Sequence, residues 1–312
     1  MVDKKEFNAY LNELMSKDRY NKNLENLSRK RSNIANIFAY LSIGVLVVTF
    51  PFLLFYWWVM VIGIIVSVLL AIMAAKMANL ESMARRYYES QYINKITDYL
   101  LSDYEYTLSK GKFISKKIFE ASQFVKSEIK YYNGEDLIVL DIPKSNSGEF
   151  RYQLFLSDIY AKKDDAVKET IITDVCYDGI FGYIEFDFNF DCSLCINSEY
   201  KKDGLVLEKV ELEDIIFNEQ FKVLSDNQVE ARYVLTATVM ETLLDLRKHV
   251  PDFKLTMIDN KMYFGFPKAK LFDYSYVKEG DVTSMFKGFY DPVCASLKIV
   301  EEVNKNKKVF KI

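Results

Sequence analysis

The chain has 312 residues, 41 basic and 44 acidic side chains, and a formal charge of −3 at pH 7. Nucleic-acid binding needs a basic surface, so this charge balance argues against nucleic acid as a partner. With four cysteines and a single histidine, most metal sites and catalytic triads lack a component, and we expect no cofactor.

Residues 1–33 predict a cytoplasmic amphipathic leader helix. Its apolar side chains recur three and four positions apart, as on one face of a helix. They are Phe7, Tyr10, Leu11, Leu14 and Met15. This stripe could lie on a membrane surface or pack against the segment that follows the hairpin described next. Because the polar face mixes acids with bases, packing is the expected use.

The run from Ser32 to Ala75 contains no Asp, Glu, Lys or Arg. As one straight helix it would be about 66 Å long at the usual helical rise, against ~30 Å for the hydrocarbon core of a bilayer. We therefore predict a transmembrane helical hairpin over residues 34–76, with spans Ile34–Phe50 and Phe55–Ala75. The turn is expected near Pro51, which interrupts helices. A buried hairpin in a soluble protein is the alternative, but it would carry a polar stripe.

Basic residues flank this run on both sides, and no charge lies in the connection between the two spans. The flanking residues are Arg29, Lys30, Arg31, Lys76, Arg85 and Arg86. Because positive charge is retained on the cytoplasmic side, both termini are expected in the cytoplasm. The lipid bilayer is thus an expected partner.

After the second span, helical spacing continues to Leu100, and no Gly or Pro occurs before Gly111. We therefore predict a helical stalk over residues 77–110. A cytoplasmic domain over 111–312 follows, with a short helix between Phe113 and Phe124 and a turn at Asn133-Gly134.

Period-two alternation predicts that this domain contains a mostly antiparallel sheet. The alternating apolar residues are Phe150, Tyr152, Leu154, Leu156, Ile184, Phe186, Phe188 and Phe190. Asp259-Asn260 separates two further apolar runs and is typical of a two-residue hairpin turn.

Two helices accompany the sheet and complete an α+β fold class. Thr236 or Thr238 is expected to cap a helix that ends near Arg247, with Pro251 beyond its end. Asp291 as cap and Pro292 at the first helical position are expected to open the other, with Cys294 in the core.

Cys192 and Cys195 have the C-x-x-C spacing of a metal knuckle or redox pair. A zinc site needs two more ligands, and His249 lies far along the chain, in the last turn of a predicted helix. Ordinary thiols are the expected interpretation, and a metal or redox role remains the alternative.

The polar segment Ser225–Tyr233 is the candidate site. Its first residues suit a turn or a helix cap, while Glu230 and Arg232 could pair and fix how helix and sheet meet. The alternative is a ligand or partner cluster made of Asp226, Gln228, Glu230 and Arg232. No residue is assigned a catalytic, cofactor-binding or metal role.

This segment resembles the C-terminal signature of a bacterial membrane-protein family of unknown function, DUF3137. The resemblance is carried by Phe221–Thr236 and Met240–Arg247, and in the same order upstream by Tyr132–Ile138 and Gly179–Phe188. It implies an inner-membrane protein with a cytoplasmic α+β domain, and it supplies no reaction or catalytic residue.

The leading hypothesis is a non-enzymatic inner-membrane protein whose cytoplasmic domain binds a partner protein or small ligand, as a scaffold or sensor. One alternative is a membrane-tethered enzyme with Asp226 and Glu230 as acid and base, which a deep pocket holding both would favour. The other is a homo-oligomer or subunit of a larger assembly, packed through Gly44 and Gly63.

Overall fold

A computed structural model describes the chain in seven segments and divides it into two compact units. The described residues are 2–17, 19–51, 56–144, 147–163, 174–198, 207–276 and 282–305. The helical unit comprises Val2–Leu100 and Asp273–Lys287, and the sheet unit comprises Leu101–Phe272 and the chain from Gly288 onward. Helices and an antiparallel sheet together confirm the α+β class.

The leader of the helical unit forms α1 (Lys4–Lys17), in which Phe7, Leu11 and Met15 are buried. The ring of Tyr10 stacks on that of Tyr99 in α4 (Asn94–Leu100), with centroids 3.8 Å apart. The apolar side of α1 therefore packs against the segment that follows the hairpin.

The uncharged run forms two antiparallel helices, α2 (Arg19–Thr49) and α3 (Trp57–Tyr88). The hydroxyl oxygens of Ser42 and Ser67 lie 2.9 Å apart between them. A Cβ added to Gly63 would come within 2.5 Å of the Thr49 side chain, so the two backbones approach closely. The predicted turn follows the end of α2, and residues 52–55 lie outside the described part of the chain.

The helix continues beyond the apolar run through α3, a π-helical turn (Glu89–Ile93) and α4. The predicted stalk is wrong over its last residues, because helix ends at Leu100 and Glu105–Ser109 forms strand β1. Tyr106 and Leu108 alternate with more polar neighbours and lie opposite Leu140 and Ile138. The helix therefore gives way to a strand although no Gly or Pro interrupts this part of the sequence.

The sheet unit is built on nine strands in the order β1-β2-β3-β4-β9-β8-β5-β7-β6, and every pairing between the described strands is antiparallel. The remaining strands are β2 (Ile129–Lys144), β3 (Ser147–Lys163), β4 (Asp174–Glu185), β5 (Leu194–Ile196), β6 (Glu208–Lys209), β7 (Val223–Ser225), β8 (Lys254–Ile258) and β9 (Lys261–Pro267). Helices α5 (Lys116–Ala121), α6 (Ile215–Gln220), α7 (Gln228–Val234), α8 (Ala237–Arg247) and α9 (Val282–Lys305) complete the described elements named here.

The turn predicted at Asn133-Gly134 is wrong, because both residues lie within β2 and pair with β3. A Cβ at Gly134 would lie 2.5 Å from the carbonyl oxygen of Asp158, so glycine here permits close backbone approach. The irregularity follows at Asp136, whose φ is +58° beside a shift in the β2–β3 register.

The aromatic alternation after Ile184 is not strand throughout, since β4 ends at Glu185. Phe186, Phe188 and Phe190 are nevertheless buried. The backbone N–H groups of Phe186 and Phe190 donate to the carbonyl oxygens of Asn260 (2.8 Å) and Asp259 (2.7 Å). The alternating phenylalanines therefore lie in a loop that is hydrogen-bonded to the β8–β9 turn. That predicted turn is confirmed, with Asp259 at a φ of +55°.

Of the two predicted caps, Thr236 is the one that caps α8, with its hydroxyl oxygen accepting from the N–H of Val239 at 3.3 Å. The predicted helix start at Asp291-Pro292 is wrong, because α9 begins at Val282 and Pro292 lies inside it. An internal proline costs ~3 kcal/mol. The apolar stripe continues across it, however, and burial of each large side chain is worth about 1.5–3 kcal/mol. The fully buried members around the proline are Met285, Phe286, Phe289 and Val293. Cys294 is in the core, as predicted.

Candidate functional site

The polar segment singled out from the sequence forms the start of α7. Asn227 is the N-cap, and its side-chain oxygen accepts from the backbone N–H groups of Val229 at 3.1 Å and Glu230 at 3.3 Å. The expected cap is therefore present in this segment.

Three of the four predicted site residues bind backbone groups of neighbouring segments. Asp226 accepts a 2.7 Å hydrogen bond from the N–H of Ser193, just before β5. The Gln228 amide donates to the carbonyl oxygen of Lys209 at 2.9 Å, and the Arg232 guanidinium donates to that of Glu211 at 3.2 Å. These side chains hold α7 against β5 and β6.

The predicted Glu230–Arg232 pair is wrong, because Arg232 points to Glu211 instead. Residues two apart on a helix do not face each other, which explains the error. Glu230 is only 9% exposed, and within the described residues its Oε2 accepts no hydrogen bond. Neither Asp226 nor Glu230 lines the two grooves described below.

Cys192 lies beside this segment. Burial raises the pKa of its thiol to about 12, against a hydrogen bond with Ser225, and the charges of Asp226 and Glu230 add to the rise. Cys195 in β5 is fully buried, and neither cysteine forms a disulfide bond within the described residues. The Cys192 thiol is therefore protonated at neutral pH, which weakens its nucleophilicity.

A different set of residues encloses a cleft of about 890 Å³, which we call the basic groove. It lies at the start of β4 and at the ends of β5, β9, α6 and α8. Its lining is Val175, Cys176, Tyr177, Asp178, Asn197, Lys209, Asn218, Glu219, Gln220, Phe221, Lys222, Arg247, Pro251, Asp252, Lys254, Pro267 and Lys268.

Five cationic side chains and three carboxylates line the basic groove. Two of the carboxylates are neutralised: Asp252 by Lys268 at 2.6 Å, and Asp178 by Lys270, which is not part of the lining. Glu219 is the remaining carboxylate. The groove is therefore positive, although the whole chain is not.

Arg247 is held in place by two contacts at the edge of the groove. Its guanidinium donates to the carbonyl oxygen of Gln220 and lies over the Phe221 ring, with Cζ 5.1 Å from the centroid. Such stacking fixes the plane of an arginine. The sequence placed Arg247 only near the end of a predicted helix, and no local motif links it to the lysines that line the same groove.

One family model matches the segment of the chain that contains both the α7 segment and the basic groove. Residues 175–305 match the family described as "Protein of unknown function (DUF3137)". This confirms the resemblance drawn from the α7 segment, and we call the matched part the DUF3137 domain. Every residue of the basic groove lies within it. No curated protein and no solved structure is similar enough to match the chain.

The DUF3137 domain carries a second cleft of about 420 Å³ between α8 and α9, which we call the acidic groove. Carboxylates outnumber cations in its lining. The charged members are Glu241, Asp245, Asp291, Lys298, Glu301, Glu302 and Lys305.

A buried carboxyl group lies in the sheet outside both grooves. Asp158 of β3 is 3% exposed and accepts from the N–H of Leu271 at 3.0 and 3.2 Å. Burial raises its pKa to about 8, while the Leu271 hydrogen bond and the charge of Lys270 act in the opposite direction. The group links β3 to the segment after β9 in a mostly protonated form at neutral pH.

Proposed function

We propose that the protein is a non-enzymatic membrane protein in which a two-span hairpin anchors a DUF3137 domain that binds a partner protein or small ligand at the cytoplasmic face. The apolar surface of the hairpin carries this proposal. Within the described residues, one helical segment is long and apolar enough to cross a membrane, Trp57–Lys76, and only 11% of it is buried.

The exposed side chains of the hairpin support a lipid environment rather than water. Val47 is 66% exposed, Val48 67% and Trp57 71%. A soluble protein rarely leaves so continuous an apolar surface uncovered. The hydroxyls of Ser42 and Ser67 are buried against each other, which removes polar groups from the lipid-facing side.

The apolar part of α2, Asn33–Thr49, is shorter. At the usual helical rise it measures about 25 Å, a little less than the ~30 Å hydrocarbon core. Local thinning of the bilayer accommodates such a mismatch. Its close packing on α3 supports two spans over one.

The contacts of the α7 segment support a binding module over a tethered enzyme. Asp226, Gln228 and Arg232 all bind backbone groups, as structural side chains do. The basic groove offers the domain a separate surface for a ligand.

Reporter fusions test the anchor in the full chain. A reporter that is active only in the cytoplasm should give signal at Met1 and at Ile312, because positive charges flank the run on both sides. The same reporter inserted after Pro51 is the matched control and should be silent. Signal at only one terminus would mean an odd number of spans and would exclude the hairpin anchor.

A further inference from the structure

We infer that the basic groove of the DUF3137 domain binds a phosphate-bearing ligand, supplied either as a soluble phosphate compound or as the headgroup of an anionic phospholipid. The inference rests on the proposed function, since it names the ligand class of that binding module.

The charge of the groove favours a ligand with more than one negative charge. Outside the two ion pairs of Asp252 and Asp178, four cations and the single carboxylate of Glu219 line the groove. These cations are Lys209, Lys222, Arg247 and Lys254, of which Lys254 also donates to the carbonyl oxygen of Phe124 at 3.1 Å. The whole chain has a formal charge of −3, so this concentration of positive charge is local. A phosphate group at neutral pH matches it better than a single carboxylate does.

The geometry of the cations suits an oxyanion. Arg247 is oriented by Gln220 and Phe221, and only part of its donor fork is occupied. A guanidinium fork binds phosphate oxygens in pairs, while lysines act as point charges around them. Lys209 and Lys222 form no ion pair within the described residues and are exposed at the groove.

Lys222 is fixed through its backbone. Its carbonyl oxygen accepts from the N–H of Asn197 at 3.0 Å, and its N–H donates to the Asn197 side chain at 3.4 Å. Asn197 has a φ of +52°, a left-handed conformation that asparagine tolerates. The residue at the end of β5 therefore fixes the backbone position of Lys222. The ammonium group at the end of its side chain can still reach a ligand in the groove.

The size and walls of the groove suit a small organic phosphate. Its volume of about 890 Å³ falls within the range of roughly 300–1,000 Å³ typical of small-molecule sites. Val175, Pro251 and Pro267 provide apolar wall beside the cations. A headgroup or phosphate ester would place its carbon skeleton there.

Cys176 supplies a direct reporter of occupancy. It lines the groove and is half-buried, whereas the other three cysteines are buried. Burial raises the pKa of the Cys176 thiol, so alkylation is followed at about pH 9, where more thiolate is present. A ligand in the groove should slow its reaction with N-ethylmaleimide.

The test uses the full chain in phosphatidylcholine nanodiscs. Inorganic pyrophosphate is added in one arm, and phosphatidylglycerol is included in the nanodisc in the other. We expect at least one arm to slow Cys176 alkylation, and the arm that does so identifies the source of the phosphate. Citrate is the polyanion control. Protection by neither phosphate arm, or equal protection by citrate, would overturn the inference.

Charge reversal locates the ligand. Lys222→Glu should weaken the effective arm by roughly tenfold or more, as expected when a like charge replaces a binding cation. Lys222→Gln, which only removes the charge, should have a smaller effect in the same direction. Lys117→Glu, on exposed α5 outside the groove, is the matched control and should bind normally. Unchanged binding in both folded Lys222 variants would place the ligand elsewhere.

The two proposals fail separately. Cytoplasmic signal at both termini without groove protection refutes the ligand class and leaves the anchor intact. Protection of Cys176 with reporter signal at one terminus refutes the hairpin topology and leaves the groove ligand intact.

Discussion

Asp226 and Arg232 belong to the same α7 segment, but their side chains contribute differently to stability. Asp226 accepts a 2.7 Å hydrogen bond from the Ser193 N–H, while Arg232 donates to the Glu211 carbonyl at an exposed site. We expect Asp226→Ala to cost about 1–2 kcal/mol and Arg232→Ala less, about 0.5–1 kcal/mol. Denaturant unfolding of the two variants checks the order.

Asp226→Asn is the control for that comparison, because its amide oxygen can still accept from Ser193. It should retain most of the stability that Asp226→Ala loses. A larger loss for Arg232→Ala than for Asp226→Ala would show that Arg232 has a buried charge partner after all.

Asp158 should make the stability of the sheet unit depend on pH. Burial raises its folded pKa to about 8, whereas an unfolded aspartate titrates near ~3.9. Between these values the folded state binds more protons than the unfolded state, so the contribution of Asp158 is full below about pH 4 and is lost as pH rises towards about 8.

Asp158→Asn should remove this dependence, because asparagine stays neutral and can still accept from the Leu271 N–H. The measurement is the free energy of unfolding at about pH 5 and about pH 8, between which the contribution of Asp158 should fall. The variant should become more stable than the parent at the higher pH. Parallel profiles for parent and variant would show that Asp158 is ionised in the folded state.

At the level of elements, Gly63 and Gly44 have different roles in the hairpin. A Cβ at Gly63 would collide with Thr49, whereas a Cβ at Gly44 meets nothing within 4 Å among the described residues. Gly63 therefore permits the close approach of α2 and α3 within one chain, and this face of α3 is not available for contact with another copy. Gly44 alone keeps the outward position that the assembly hypothesis requires.

Gly63→Ala should push α2 and α3 apart, and Gly44→Ala should not. Ser42 and Ser67, whose hydroxyl oxygens lie 2.9 Å apart, give a distance probe when both are replaced by cysteine. Their spacing suits a disulfide, so oxidative cross-linking should be fast with Gly44→Ala and slowed with Gly63→Ala. Thr49→Gly should restore cross-linking to the Gly63→Ala variant. Equal rates in both alanine variants would contradict the close contact.

Local chemistry allowed several elements to be predicted. The helices of the uncharged run, the cap of α8 and the Asp259-Asn260 turn each depend on neighbours in the sequence. Each is present, with Thr236 as the cap out of the two candidates. The wrong predictions concern residues whose burial does not depend on the secondary structure expected from the pattern. The phenylalanines after Ile184 are buried without being strand, and Pro292 stays helical because apolar burial outweighs its cost.

The basic groove could not be predicted from the sequence, because the order of the strands in the sheet brings its lining residues together. Arg247 and Lys209 are far apart in the sequence and line the same groove only because β5, β7 and β9 adopt a particular order. The α7 segment, by contrast, was recognisable as a continuous stretch. Its residues turned out to bind backbone groups rather than form the predicted ion pair.

At the scale of the whole molecule, net charge is a poor guide to local chemistry. The chain carries a formal charge of −3, yet the DUF3137 domain has a cationic cleft and an anionic cleft. Binding to either cleft should weaken as salt is added, because exposed charges are screened within about 10 Å at moderate ionic strength.

The nine-stranded sheet also limits where the chain can be cut without exposing a strand edge. The family match begins at residue 175, inside β4 (Asp174–Glu185), but β3 pairs with β4 from Leu154 to Lys163. Cutting the chain at the family boundary would strip β4 of that neighbour and leave a long, apolar strand edge, which favours aggregation. The region recognisable by similarity is therefore smaller than the compact sheet unit, which begins at Leu101.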